Sequence, residues 1–99
     1  MARHPSKTIG LGSRLVVTDK QITSQLGDES VILDLTDGIY YGLDSIGTSI
    51  WTLLGSPRSV QEICDLIQQE YDVGSAACEE AVLALLQDLE ARALIEQSQ

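Results

Sequence analysis

Between Val31 and Leu54 the chain reads VILDLTDGIYYGLDSIGTSIWTLL, and the spacing of its apolar residues changes partway along. Val31, Leu33 and Leu35 alternate with the two-residue period of a strand, which sets Asp34 on the outward face. Thr36-Asp37-Gly38 is a hairpin turn signal, with a glycine available for positive φ. Beyond the turn, Ile39, Tyr41 and Leu43 face one way while Tyr40 and Gly42 face the other. From Asp44 the period lengthens. Asp44 or Ser45 caps a helix on which Ile46, Ile50, Leu53 and Leu54 recur at helical spacing, and Gly55 closes it with Pro57 beyond. Strands that give way to helices in this order imply an α+β domain.

Working back toward the N-terminus, Leu15 to Asp19 is apolar and β-branched, and Gln21 to Leu26 places Ile22, Ser24 and Leu26 on one side of an extended chain. These are one or two short strands before the Gly27-Asp28 turn, so the N-terminal half reads as a three-stranded antiparallel meander. The opening MARHPSKTIGLG has no sustained periodicity, and residues 1–13 are expected to form a flexible arm ahead of a single domain over 14–99. Toward the C-terminus, Ser59 and Glu62 have the spacing of a capping box, followed by a stripe of Val60, Ile63, Cys64, Ile67 and Tyr71. Ser75 is the expected N-cap of a third helix with its core stripe on Cys78, Val82, Leu86, Leu89 and Ala93. Leu94-Ile95 then docks as a short extended segment. A small antiparallel sheet with three helices, the last two tightly joined, is the layout of a winged helix-turn-helix domain.

Composition excludes several functions. The chain has 99 residues, 43% of them hydrophobic, no Phe, and four aromatic residues, Trp51, Tyr40, Tyr41 and Tyr71, so its core is aliphatic and an aromatic-lined cofactor pocket is not expected. Cys64 and Cys78 lack Cys-x-x-Cys spacing and His4 stands alone, so neither a metal site nor a disulfide framework is implied and both thiols are expected reduced in the cytoplasm. No apolar run has the length of a membrane span. No nucleophile, base and orienting group share a motif, so no catalytic residue is assigned and no cofactor is expected. Cys78 near a helix start has the setting for a lowered pKa, which Glu79 and Glu80 oppose.

The formal net charge is −9, and after position 20 only Arg58 and Arg92 oppose fourteen carboxylates. The layout of the fold raises DNA binding as an alternative, or a role as an assembly factor. The helix that would enter the groove, however, carries Glu79, Glu80, Asp88 and Glu90 against Arg92, the wrong sign for neutralising phosphates. No nucleic-acid partner is therefore expected. The acidity serves solubility, or favours a neutral to basic polypeptide partner. A three-stranded sheet also leaves an edge whose backbone groups can pair with an incoming peptide. The strand Gly38 to Leu43 enters the sheet last and has no lysine or proline to prevent this. Beside it, the third helix has apolar residues beyond its core stripe, Ala81 and Leu85 on one flank and Leu83 on the other. The same edge would serve equally for pairing with a second copy of the chain as a homodimer.

The three blocks VILDLTDGIYYGLDSIGTSIWTLL, SVQEICDLIQQEYDV and the leucine-rich helix ending ARALI resemble, in that order, the PqqD-like peptide chaperones, also called precursor-peptide recognition elements. The resemblance runs from about Val16 to Ile95. Tyr40-Tyr41-Gly42-Leu43-Asp44 and Ile50-Trp51 are most similar to the stand-alone proteins of lasso-peptide pathways. The resemblance implies a non-catalytic module whose third strand and third helix grip the leader region of a ribosomally made precursor. The module would present that precursor to a leader peptidase, a cyclase or a radical enzyme. Carried onto this chain, the peptide-binding residues are Gly38, Ile39, Tyr40, Tyr41, Gly42 and Leu43 on the strand, with Ala81, Leu85, Asp88 and Arg92 on the helix. Helices of this family often carry basic residues that meet acidic leaders, whereas this one is mostly acidic.

Overall fold

The computed structural model describes residues 9–98. Six strands and three helices follow in the order β1 (Arg14–Val17), β2 (Gln21–Leu26), β3 (Glu29–Asp34), β4 (Tyr40–Leu43), α1 (Ser45–Leu53), β5 (Arg58–Ser59), α2 (Val60–Glu70), α3 (Ser75–Ala91) and β6 (Ile95–Ser98). The α+β, winged helix-turn-helix layout is as the pattern of strands and helices implied. The meander, however, consists of β2, β3 and β4, and β1 leaves it to become the middle strand of a second sheet, β5-β1-β6. Thr18 explains the detachment, since its N–H and hydroxyl both reach back to the chain around Leu94, away from the hairpins. Most of the expected arm, residues 1–8, lies outside the described residues. Of the rest, Ile9 is buried in the core, and the Leu11 and Ser13 carbonyls accept from the Gln61 and Val60 amides.

Local chemistry starts the first two helices as expected. The Asp44 carboxylate accepts from the Gly47 amide at 2.8 Å, and Ser59 and Glu62 close a complete capping box at 3.1 and 3.0 Å. The third helix differs at both ends. Gly74 is its N-cap with no side-chain bond, and Ala93, expected on the core stripe, is exposed with φ 59°. It takes the left-handed position that ends the helix, so that the Leu94 amide bonds back to the Leu89 carbonyl and the chain turns into β6. The rest of the stripe, Cys78, Val82, Leu86 and Leu89, is buried against α2 through Ile63, Cys64 and Ile67.

One face of β3 also differs from expectation. Asp34 is not on the outward face: it is 7% exposed, and the core side of the strand is Ser30, Ile32 and Asp34. Two polar residues are tolerated there because both are satisfied. Ser30 Oγ shares a hydrogen bond with Thr48 Oγ1 of α1 at 2.8 Å, and Asp34 Oδ1 accepts from the Thr36 and Asp37 amides at 2.9 and 3.4 Å, shaping the turn to β4. Gly38 (φ 69°) completes that turn. The Ser30–Thr48 bond and the Trp51 indole donating to Thr23 Oγ1 at 3.1 Å hold the inner face of the β2-β3-β4 sheet on α1. The residues at positions 31 and 33 consequently face away from the core.

Candidate functional site

The order β2-β3-β4 makes β4 an edge strand, and among the described residues no strand lies on its far side. Its register on β3 sets Ser30 opposite Leu43, Val31 opposite Gly42, Ile32 opposite Tyr41 and Leu33 opposite Tyr40. One pair further on, the Asp34 amide donates to the Ile39 carbonyl at 2.9 Å. Hydrogen-bonded pairs alternate in an antiparallel ladder, so Tyr41 and Leu43 turn their N–H and C=O groups toward β3, and Tyr40 and Gly42 turn theirs to the outside. The open edge therefore presents two donors and two acceptors at the spacing another strand would match.

The side chains of β4 divide in the same way. Tyr40 stands on the outer face of the sheet and is 69% exposed, while Tyr41 points to the opposite side, where its hydroxyl donates to Asp88 Oδ2 at 2.5 Å. Arg92 lies one helical turn beyond Asp88. Its Nε is 3.6 Å from Asp88 Oδ1, and its guanidinium sits 5.0 Å from the centre of the Tyr41 ring. Tyr41, Asp88 and Arg92 thus form a clasp between β4 and the C-terminal half of α3. Burial, reinforced by the hydrogen bond to Asp88 and that group's negative charge, pushes the Tyr41 phenol up to about 12, with Arg92 acting in the opposite sense. The phenol remains a donor throughout the physiological range.

Of the residues expected at the site, the structure brings Tyr41, Asp88 and Arg92 into direct contact. Ala81, Leu85, Asp88 and Arg92 follow at intervals of four, three and four residues, one stripe of α3. Ala81 on this stripe is exposed, and Leu85 is half-buried against the core. The strand is shorter than expected: Gly38 belongs to the turn, Ile39 is exposed at its exit, and Leu43 is buried. The residues that sequence reasoning passed over are those that β2 and β3 contribute to the outer face of the sheet, beside Tyr40 and Gly42. Opposite pairs share a face, so Ile22, Leu33 and Tyr40 form one row and Ser24, Val31 and Gly42 the next. The alternation of β2 and β3 carried that signal, but only the position of Asp34 shows which way it faces.

The described residues hold no cluster of three or more His, Cys, Asp or Glu placed to bind a metal ion. Cys64 and Cys78 are buried and free. Burial, with Cys78 beside it, pushes the Cys64 thiol up to about 11, away from nucleophilic reactivity at neutral pH. No described helix is long and apolar enough to cross a membrane.

The geometry is that of a winged helix-turn-helix domain with an open sheet edge beside its last helix. The family described as coenzyme PQQ synthesis protein D (PqqD) matches residues 29–95, from the start of β3 to the start of β6, and the chain belongs to that family. Among solved structures it is similar to "TbiB1 in Complex with the TbiA(beta) Leader Peptide", with 34% identity, a TM-score of 0.75, and coverage of 85% of this chain and 98% of that one. No curated protein matches.

Proposed function

We propose that this domain binds the leader region of a ribosomally synthesised precursor peptide and holds it for the enzymes that modify it, a leader peptidase, cyclase or radical enzyme. The leader adds as a strand to the open edge of β4, beside α3. The observation that carries this reading is the outward direction of the Tyr40 and Gly42 backbone groups on an edge that no described strand covers. Family membership and the likeness to TbiB1, which was solved with a leader peptide, support it. Backbone pairing gives affinity that tolerates sequence change, and the α3 stripe of Ala81, Leu85, Asp88 and Arg92 selects among side chains. The domain breaks no bond. It raises the local concentration of precursor at the enzyme. The single cation on this stripe, Arg92, is engaged by Asp88 and Tyr41, so the helix offers net negative charge and favours a neutral to basic leader.

The test is fluorescence titration of a labelled peptide covering the leader encoded beside this chain, with a scrambled leader and duplex DNA as controls. Saturable binding of the authentic leader alone is expected. Tyr40→Pro removes an outward N–H and leaves the donors of the β3–β4 ladder in place, so it weakens binding at least tenfold relative to Tyr40→Ala. Binding to duplex DNA in place of the leader, or equal affinities for the two Tyr40 variants, would overturn the reading.

A further inference from the structure

Gly42 is the one position of β4 without a side chain, and neither of the usual demands for glycine applies to it. Its φ is not positive, and a Cβ built on it meets nothing within 4 Å. Glycine in a strand lowers stability through its backbone freedom and packs nothing in return. What the position contributes is therefore space. On the outer face the missing side chain leaves a notch at Gly42 whose lining includes Leu26, Val31, Glu29 and Asp44.

The ladder determines what can reach this notch. Gly42 turns its N–H and C=O to the open edge, so a strand added there places one residue directly opposite Gly42, and opposite residues share a face. That residue's side chain projects onto the outer face with no neighbour on β4, free to lean across the glycine onto Val31 and Leu26. Large side chains, aromatic ones above all, cover a strand glycine in this manner. Two residues along the added strand, the side chain opposite Tyr40 meets a phenol ring instead.

Resting on the leader-binding reading, we propose that Gly42 is the register-setting position of the site. Its notch takes one large apolar side chain, best an aromatic one, from the bound leader, on the sheet face turned away from α3. With Glu29 and Asp44 in its lining, the notch disfavours an acidic residue. Backbone pairing alone tolerates slippage by two residues, and a single side chain that fits only over the glycine removes that freedom.

Gly42→Val fills the notch at a position where the backbone accepts a side chain and the β-branched residue suits a strand. Its Tm is expected to equal or exceed that of the wild type. Its affinity for the labelled leader peptide should fall about tenfold or more, the scale of losing one buried apolar side chain. An alanine scan of the peptide should find one apolar position whose replacement costs a similar factor with the wild-type domain and little with Gly42→Val. Affinity for the leader within twofold of wild type in Gly42→Val, or equal losses with both domains at every peptide position, would overturn the proposal. A wild-type domain that binds no leader removes the leader-binding reading itself, so the two failures are distinguishable.

Discussion

The two three-stranded sheets are assembled by opposite routes. In β2-β3-β4, successive segments pair through short turns at Gly27 and Gly38, and the register follows from neighbouring sequence. In β5-β1-β6, residues 14–17, 58–59 and 95–98 come together across the whole length of the chain. β1 there is covered on both edges, and Leu15 at its centre is fully buried. β4 has a described partner on one edge, and the outer face beside it keeps Ile22 at 55% and Leu26 at 67% exposure. Closing long loops is entropically costly, so the remote sheet forms only with the core behind it, and its residues serve stability. The local sheet is held by its hairpins and by α1, which leaves its free edge and outer face available for a partner.

Leu15→Ala should produce the largest effect, a loss of about 3 kcal/mol in urea unfolding, because a fully buried leucine is replaced by a cavity. A cost no greater than that of truncating an outer-face residue of β2 would erase the distinction between the sheets. The clasp joining β4 to α3 belongs to neither extreme. Tyr41→Phe deletes the bond to Asp88 at an expected cost of about 1 kcal/mol, and it should also change a titration. The Tyr41 phenol, at about 12 against an ordinary 10.0, keeps its proton in the folded state after the unfolded chain has lost it. Its contribution is therefore complete below the unfolded value and declines as pH rises from there through about 12. Tyrosinate absorbance should lose a late-titrating component in Tyr41→Phe relative to the wild type. At the small end, Leu26→Thr should change stability by no more than about 0.5 kcal/mol, as for an exposed strand position, and a larger loss would mean that the outer face is part of the core.

Much of this was legible from short-range pattern. Asp44 and the Ser59–Glu62 pair announce helix starts because capping is chemistry between residues three apart. The edge strand was legible because the last strand of a meander has one neighbour. Less legible were the features that depend on a partner distant in sequence. Ser75 has the chemistry of a cap, yet Gly74 takes the position, and Ala93 lies on the helical period of the core stripe but ends the helix, since β6 has to turn back onto β1. Asp34 read as outward by its alternation with Val31, Leu33 and Leu35 and is inward by its hydrogen bonds to the turn. Alternation set Tyr40 and Tyr41 on opposite faces of the strand, but not that one is clasped to α3 and the other exposed beside the notch.

Sequence by itself determined the class of the fold, the order of its meander and helices, the absence of a basic recognition helix, and which strand ends the meander. All of these follow from residue type and from periods of two and 3.6. Tertiary structure alone decided that β1 joins β5 and β6, which face of β3 meets α1, and that Tyr41 meets Asp88 across 47 residues of chain. It also decided that the backbone groups of Tyr40 and Gly42 face outward. Period-two alternation divides a strand into two faces without saying which face is buried or which edge is paired. That choice is made by the elements packed against the strand.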